Sequence, residues 1–421
     1  PTAPSHKLSE LADWFELANP EHHRALNDAE VTAELFLRLQ QECAKISVDL
    51  AGFLLGLTSS LQETLYLDKI FSEYQSFLFQ QKAQAKDSQE NIRERGPLPF
   101  HIQNEAAEVL AERDHYEPAP VPFEKMAPFF RGENELNKEI RGFEERPPQI
   151  EMAKAVNDAL ADEDILTVEA DTGTGKSWAY LIPSAMFAYE NQTRIVISTK
   201  TKNLQEQLFF KDLPALHKTM GIPFNSALLK GRGNYICLQK YLYQKKEYSV
   251  LKDGDKIQLA AVAVWLEITQ SGDLSEIHNG LNSFLPRIIS ESQSCLKNRC
   301  RNFKNCFYYR LRQAVEKSHI VVINHSLLCS DMQSANKIIG DYEYVVIDEA
   351  HQFEPQAINH FRREISYRKC RDLLYRLFHK GWMETGLLSD LKTGIQTSRF
   401  SPTKRQIMDG KIDELIQLVA Q

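Results

Sequence analysis

The sequence predicts an α/β fold in which helices cover both faces of a parallel sheet. Short runs rich in β-branched residues alternate with stretches of helical periodicity. These runs are ILTVEA at 165–170, RIVIST at 194–199, IVVIN at 320–324 and YEYVVIDEA at 342–350. Nearly continuous apolar strands are typical of parallel sheets that are buried on both sides. A glycine-rich segment directly follows the first run, where a strand-to-helix turn can bind phosphate.

The composition limits the classes of protein to consider. The chain has 421 residues, enough for about three domains, and 43% of them are hydrophobic and 25% charged. No apolar run is long enough to cross a bilayer, and the first residues do not resemble a signal peptide. The net charge of −7 excludes a uniformly basic coat for nucleic acid but allows a local basic groove. Seven cysteines without secretory context favour a reducing, cytoplasmic location.

Helical periodicity dominates the first part of the chain. Residues 7–83 read mostly as helix. One face of this predicted helical region carries Val31, Leu35, Phe36 and Leu39. Residues 84–131 lose the periodicity and include the proline-rich segment EPAPVP, which indicates a linker. The proline pair at 147–148 then suits the start of an amphipathic helix, and the chain after His351 reads as helix again.

The segment 166–183, LTVEADTGTGKSWAYLIP, predicts a phosphate-binding loop. Gly173 and Gly175 permit positive φ and close backbone approach, so that backbone N–H groups and the helix start can hold phosphate. Lys176 would reach the β and γ phosphates of ATP, and the Ser177 hydroxyl would bind Mg²⁺. Ala170 stands where the usual pattern begins with glycine. The alternative is an ordinary glycine turn.

A second strand end, VVIDEAH, supplies the acidic groups that a nucleotide hydrolase needs. Asp348 would hold Mg²⁺ through water, and Glu349 would orient or deprotonate the attacking water. His351 completes the motif, and the alternative is a solvated strand end. Gln149 could read the adenine edge, although for this residue taken by itself a surface amide is the favoured interpretation. The residues predicted to contact nucleotide are Gln149, Asp171, Thr172, Gly173, Thr174, Gly175, Lys176 and Ser177.

Together these segments resemble the iron–sulfur DNA helicases of the DinG/XPD group. The resemblance covers about residues 140–360. The motifs that carry it are RPPQ, EADTGTGKS, VISTKTKNLQEQL, KGRGNYIC, VVINHSLL and VVIDEAH. It implies two RecA-like lobes, an iron–sulfur domain and an arch domain inserted into the first lobe, with ATP-driven 5′→3′ unwinding. Asp171 departs from the family, which often has Pro at that position, whereas Ala170 is shared.

The resemblance also implies a division of the chain into domains. The second RecA-like lobe, which supplies arginine fingers in the family, has no sequence counterpart in the 70 residues after His351. We therefore expect the 421-residue chain alone to bind nucleotide and DNA but to hydrolyse ATP poorly. The predicted domains are the C-terminal part of an exonuclease domain at 1–45, a helical connector and linker at 46–131, the first lobe at 132–230 and 313–360, an iron–sulfur domain at 231–312 and the start of the arch at 361–421.

Four cysteines follow the iron–sulfur pattern of this group. Cys237, Cys295, Cys300 and Cys306 form C-x57-C-x4-C-x5-C. Four thiolates suit a [4Fe–4S] cluster, since soft sulfur ligands favour iron–sulfur chemistry. Zinc is the competing metal, although the gaps are at or beyond its usual spacing, and free buried thiols are the third alternative. Such a cluster would hold together a small domain that is poor in apolar residues.

Basic and aromatic residues surround these cysteines, with no acidic residue from 294 to 312. The basic residues are Lys297, Arg299, Arg301, Lys304, Arg310 and Arg312. The interleaved aromatic residues are Phe303, Phe307, Tyr308 and Tyr309. Cations neutralise phosphates and aromatic faces stack on unpaired bases, which predicts contact with single-stranded DNA and with forked or unwinding duplex DNA. For the aromatic residues, packing inside the small domain is an equal alternative.

The front of the chain resembles a different enzyme. The segment 7–39 is similar to the end of a DnaQ-like 3′→5′ exonuclease of the DEDD type, whose last motif His-x4-Asp is matched by His23 and Asp28. The resemblance implies that the histidine activates water and the aspartate binds one of two metal ions. A helix cap is the alternative reading of Asp28. The earlier acidic motifs are not in the sequence, so we expect a fragment of a fused exonuclease–helicase without nuclease activity of its own.

Overall fold

A computed structural model describes most of the chain, in two compact units, Pro1–Ala357 and Ile358–Gln421. The described residues are 11–13, 15, 17, 25–43, 46–58, 118–131, 144–171, 173–277, 284–334, 337–362, 365–380, 384–398 and 400–420. Helices that begin in the first unit are α1 (Ala25–Cys43), α2 (Val48–Thr58), α3 (Phe123–Phe130), α4 (Pro147–Ala161), α5 (Lys176–Asn191), α6 (Lys202–Gln207), α7 (Leu213–Met220), α8 (Leu238–Lys246), α9 (Asp253–Ile268), α10 (Leu285–Ile288), α11 (Phe307–Glu316), α12 (His325–Gln333) and α13 (Phe353–Phe361).

A four-stranded parallel sheet organises the first unit. Its strands are β1 (Ile195–Thr199), β2 (Ser226–Leu228), β3 (Ile320–Asn324) and β4 (Tyr344–Ile347), in the spatial order β2-β3-β1-β4. All three pairings are parallel, with Ile195 opposite both Ile320 and Tyr344. Every residue of β1 is buried, as its run of β-branched side chains predicts. The predicted α/β class with a parallel sheet is therefore confirmed.

The run at 165–170 does not form the strand that its composition predicts. Residues 164–171 have no regular secondary structure, and the side chain of Ile165 is 99% exposed. A β-branched run becomes a strand only when a neighbouring edge supplies hydrogen bonds and a packing surface. Within the described residues, β4 is the outer strand of the sheet, and no strand pairs with its other edge. The prediction of a strand at 165–170 is therefore wrong for this structure.

Helices cover the sheet and form its core. Helix α4 begins at Pro147, as the proline pair predicts, because a proline in the first turn loses no intrahelical hydrogen bond. Phe187 of α5 and Phe130 of α3 are fully buried with Ile197 of β1 in one apolar core. This packing fixes the start of α5, and with it the predicted phosphate loop, beside the carboxyl end of the sheet.

The cysteine-bearing segment has an apolar core of its own. Trp265 of α9, Phe284 and Phe307 of α11 are fully buried there, together with Leu54 of α2. Helix α2 thus packs within this core, although sequence reasoning assigned its residues to a connector. Gly272 has φ +68°, and a Cβ atom at this position would lie 2.3 Å from Cγ of Phe307. Only glycine fits here, because a side chain disfavours this φ value and its Cβ atom would collide with the Phe307 ring.

Helix α1 buries only part of the apolar face that was predicted for it. Val31 and Leu35 of α1 are buried, whereas Phe36 and Leu39 are about half exposed. Asp28 lies within α1, and His23 lies outside the described residues. The predicted pairing of these two residues therefore stays a prediction.

The second unit is small and mostly helical. It contains α14 (Tyr367–Leu377), a two-stranded antiparallel ribbon of β5 (His379–Lys380) and β6 (Glu384–Thr385), α15 (Leu387–Gln396) and α16 (Pro402–Ala420). An ion pair joins Lys392 Nζ of α15 to Asp413 Oδ1 of α16 at 2.5 Å. Among the helices that the structure describes in both units, none has the length and apolar character needed to span a membrane.

Candidate nucleotide site and cysteine-bearing loop

The phosphate loop adopts the backbone that its glycines predict. Gly173 and Gly175 have φ values of +86° and +82°, in the left-handed region that side chains disfavour. Gly175 precedes the first residue of α5, so the N–H groups at the start of this helix face the loop. Gln149 Nε2 donates to the Gly175 carbonyl oxygen at 2.9 Å, and a Cβ atom on Gly175 would collide with this amide. Gln149 therefore contacts the loop directly in this structure.

Other side chains hold the loop in shape. Lys176 Nζ donates to the Ala170 carbonyl oxygen at 2.9 Å, so its ammonium group points across the loop. Thr174 Oγ1 donates to the Asp171 carbonyl oxygen at 2.9 Å. Arg146 donates to the Gly173 carbonyl oxygen, a contact that sequence reasoning missed even though Arg146 opens the RPPQ motif. Ser177 follows Lys176 on α5, and Thr172 lies outside the described residues.

The acidic motif forms a tight turn at the carboxyl end of β4. The Asp348 N–H donates to the Ser198 carbonyl oxygen at 2.9 Å, which extends the pairing of β4 with β1. Glu349 has φ 53° and ψ 48°, a left-handed conformation that is uncommon for residues other than glycine. His351 Nδ1 lies 3.5 Å from Glu349 Oε2, and both side chains are accessible to solvent. Backbone strain of this kind is found at functional turns.

Electrostatics show that the phosphate loop and the acidic turn face each other. Burial raises the pKa of Asp348, and the Glu349 carboxylate raises it further. The Lys176 ammonium group and the Tyr180 hydroxyl oppose this effect. The Lys176 ammonium group therefore favours the charged form of the Asp348 carboxylate. A cation of the phosphate loop and a half-buried carboxylate that act on each other in this way can hold a nucleotide with its Mg²⁺ ion.

Tyr180 lies beneath this site and was not predicted from the sequence. Its hydroxyl is buried without a hydrogen-bond partner of normal geometry among the described residues. Burial raises the pKa of Tyr180, and the carboxylate of Asp348 raises it further. Tyr180 is one helical turn after Ser177 on α5, so the spacing within LTVEADTGTGKSWAYLIP is a signal that could have identified it.

The four predicted cluster ligands lie in one part of the first unit. Cys237 and Cys306 directly precede α8 and α11, and Cys295 and Cys300 lie on the loop between α10 and α11. Burial raises the pKa of Cys306, and the electrostatic effects of Cys237 and Cys295 raise it further. Burial also acts to raise the pKa of Cys295, but the Lys297 N–H and the Arg232 guanidinium outweigh it and lower that pKa.

Their geometry does not by itself form a metal centre. Among the described residues, no three His, Cys, Asp or Glu side chains converge closely enough to hold a metal ion. All four cysteines are half-buried and none of them is in a disulfide. Four cysteine sulfurs on nearby segments are nevertheless the donor set that a [4Fe–4S] cluster takes, so the residues present fit such a cluster.

The structure distinguishes the residues around the cysteines by exposure. Phe307 and Tyr308 are buried, so the packing alternative holds for these two rings. The Arg232 guanidinium stacks on the Tyr308 ring at 4.2 Å from its centroid, and this contact was not predicted. Phe303 and Tyr309 are half-buried and lie 4.5 Å apart between ring centroids. Lys297, Arg299, Arg301 and Lys304 are exposed, whereas Arg310 and Arg312 are half-buried.

The parallel sheet, the phosphate loop and the acidic turn are parts that a nucleotide-binding motor domain requires. Comparison with protein families agrees, since the DEAD/DEAH box helicase model matches residues 149–251. This match begins at the loop-contacting Gln149 and covers the phosphate loop and the first strands of the sheet.

Several curated proteins are similar to this chain. The chain is 36% identical over 279 residues to the ATP-dependent DNA helicase YoaA of Haemophilus influenzae, which covers 63% of this chain and 43% of that protein. It is 30% identical over 392 residues to the 3'-5' exonuclease DinG of Bacillus subtilis, which covers 92% of this chain and 40% of that protein. The YoaA helicase of Escherichia coli is 35% identical over 259 residues, 59% of this chain and 39% of that protein. The chain is thus similar over part of their length to proteins named YoaA and DinG.

These alignments cover only part of each relative. The chain spans about two fifths of the length of the curated relatives that it matches. The alignment with DinG extends over nearly the whole chain, whereas the alignments with YoaA cover about three fifths of it.

Proposed function

We propose that this chain is part of an ATP-dependent DNA helicase, in which it supplies the first motor lobe. The observation that carries the proposal is the electrostatic effect of Lys176 on the half-buried Asp348 carboxylate at the carboxyl end of the sheet. In this site Lys176 binds the β and γ phosphates, and Ser177 and Asp348 hold Mg²⁺. Glu349 orients the attacking water, since its turn presents a solvent-accessible carboxylate beside Asp348.

The DNA-binding part of the proposal rests on the exposed basic residues. Lys297, Arg299, Arg301 and Lys304 present positive charge on a chain whose net charge is −7. Such a patch attracts the phosphates of single-stranded or forked DNA. The resemblance to the DinG/XPD group supports 5′→3′ movement, with the boundaries of the lobe, the iron–sulfur domain and the arch as given above.

We also propose that Cys237, Cys295, Cys300 and Cys306 hold a [4Fe–4S] cluster. The cluster would cross-link the loop between α10 and α11 to the starts of α8 and α11, and so position the basic residues. Iron and acid-labile sulfide in the purified protein, with the loss of both after Cys300→Ser, are the expected result. Zinc in place of iron, or four free thiols without metal, would overturn this part of the proposal.

A substitution in the acidic turn tests the proposed hydrolysis in the full-length protein. We expect single-stranded DNA to stimulate ATP hydrolysis, and Glu349→Gln to reduce kcat by about 10²–10⁴-fold without loss of ATP binding, because general base catalysis contributes this much. Glu354→Gln, in α13, is the matched control and should leave kcat unchanged. No ATP hydrolysis by the wild-type protein with or without DNA would contradict the proposed function.

The resemblance to an exonuclease leads us to propose nuclease activity for the full-length protein and not for the 421-residue chain by itself. His23 and Asp28 would complete a two-metal site with acidic residues that are not in this sequence. We expect the 421-residue chain to leave single-stranded DNA intact in the presence of Mg²⁺ or Mn²⁺. Digestion that Asp28→Ala abolishes would show that this chain contains a complete nuclease site.

A further inference from the structure

His325 is a buried imidazole to which the site described above assigns no role. It follows β3 directly, and its side chain is fully buried. Its Nδ1 atom lies 2.8 Å from Ser198 Oγ, on the neighbouring strand β1, where Ser198 is also fully buried. The same Ser198 accepts from the Asp348 N–H through its carbonyl oxygen at 2.9 Å. Ser198 therefore touches both the imidazole and the acidic turn.

The chemistry of the ring determines which nitrogen carries the proton. Burial lowers the pKa of His325, so the ring is neutral and has a single N–H group. The Ser198 hydroxyl can donate to Nδ1, which leaves the proton on Nε2. Nε2 is buried and has no hydrogen-bond partner of normal geometry among the described residues. The backbone of Asp348 and Glu349 opposes the effect of burial by raising the pKa, which identifies backbone carbonyl oxygens beside the ring.

The acidic turn needs a group that holds it. Glu349 occupies the left-handed region at φ 53°, which is unfavourable for a residue other than glycine. Phe353 packs its ring edge against the imidazole at 5.4 Å between centroids, so the helix after the turn also contacts His325. The imidazole thus lies against both β1 and the acidic turn, and contacts the helix that follows.

We propose that His325 is a positioning residue for the acidic turn. Ser198 fixes the tautomer with the proton on Nε2, and Nε2–H donates to a backbone carbonyl oxygen of the Asp348–Glu349 turn when the turn engages nucleotide and Mg²⁺. This hydrogen bond fixes the direction of the Glu349 carboxylate toward the attacking water. The inference rests on the proposed ATP hydrolysis and adds a residue to it.

Two amide substitutions separate the two contacts of the ring in the full-length protein. The side-chain amide of Gln reaches the position of Nε2, whereas the amide of Asn reaches only that of Nδ1. We expect His325→Asn and His325→Leu to lower kcat for DNA-stimulated ATP hydrolysis about 10–100-fold, as loss of an orienting partner typically does, with KM for ATP changed less than about two-fold. His325→Gln should restore most of kcat.

A second buried histidine provides the control. His319, next to the start of β3, accepts from the Asn225 N–H through Nδ1 at 3.0 Å. We expect His319→Gln to lower the melting temperature without a change in kcat. Equal kcat of the Gln and Asn variants of His325 would overturn the inference, and so would an unchanged kcat in the Asn, Leu and Gln variants. ATP hydrolysis by the wild-type protein in the same assay would still support the proposed function. If His325→Leu does not fold, the difference in kcat between His325→Gln and His325→Asn still tests the inference.

Discussion

Single residues of the phosphate loop follow from local spacing, whereas residues beneath the loop depend on contacts between distant segments. Lys176, Gly173 and Gly175 lie within one short motif, so their roles can be predicted from the sequence. His325 meets Ser198 across 127 positions of the chain, and no local pattern records that contact. The sequence therefore predicted the phosphate-loop residues but did not predict the contact between His325 and Ser198 beneath them.

The pH dependence of stability gives a prediction at the same scale. Burial and the nearby Arg194 guanidinium lower the pKa of His319 to about 4. The folded protein therefore prefers the neutral ring, and stability that is complete above the unfolded pKa of about 6.5 is lost as the pH falls toward 4. We expect this histidine to contribute up to about 1.4 kcal/mol per pH unit in that interval.

His319→Asn tests this contribution because the Asn amide can keep an acceptor near the Asn225 N–H. The melting temperature of the variant should fall less steeply between pH 6.5 and pH 4 than that of the parent chain. His379→Asn, at an exposed position in the second unit, should retain the parent slope. Identical slopes for the parent chain and the His319 variant would show that this ring does not titrate on unfolding.

At the scale of elements, composition predicted three strands correctly and failed for the fourth. The runs at 194–199, 320–324 and 342–350 each contain an observed strand. The run at 165–170 has the same composition but no pairing partner among the described residues, and tertiary context decides such cases. The packing of α2 against the cysteine-bearing core was equally beyond sequence reasoning, since its apolar residues reveal burial but not the partner.

The contact between Gly272 and Phe307 predicts a sharp loss of stability. Gly272→Ala would place a methyl group against the Phe307 ring and force φ +68° on alanine. We expect the free energy of unfolding to fall by about 1–3 kcal/mol. Gly254→Ala in α9, where a Cβ atom meets nothing within 4 Å, should be neutral or stabilising. Thermal or urea unfolding measures both, and equal stability of the two variants would contradict the packing described.

The exposed basic loop predicts a salt-dependent affinity for DNA. Replacing Arg299, Arg301 and Lys304 together by Ala should weaken single-stranded DNA binding. The slope of log K against log salt should flatten by about 0.7 for each DNA phosphate that the variant no longer neutralises. A control triple variant carries Ala at Lys154, Lys211 and Lys218, which are exposed on other elements of the first unit. Unchanged binding and slope in the first variant, measured by fluorescence anisotropy, would show that the loop does not face DNA.

At the scale of the whole molecule, the described residues form two compact units, and the first of these contains the parallel sheet and the candidate nucleotide site. The sequence predicted the α/β class because alternating strands and helices require a parallel sheet. The match of residues 149–251 to DEAD/DEAH box helicases supports the same conclusion independently. The cysteine arrangement was predicted only as a spacing, since four thiols must be brought together by a fold and by a metal before they form a site.

The central claim is that residues 170–177 and the acidic turn form one site for ATP·Mg²⁺. A calorimetric titration of ATP with Mg²⁺ into the 421-residue chain tests this claim most directly. Lys176→Ala removes the ammonium group at the β and γ phosphates, so we expect at least about a ten-fold loss of affinity, while Lys211→Ala retains the parent affinity. Equal binding of ATP by the parent chain and by Lys176→Ala would contradict the assignment of the phosphate loop.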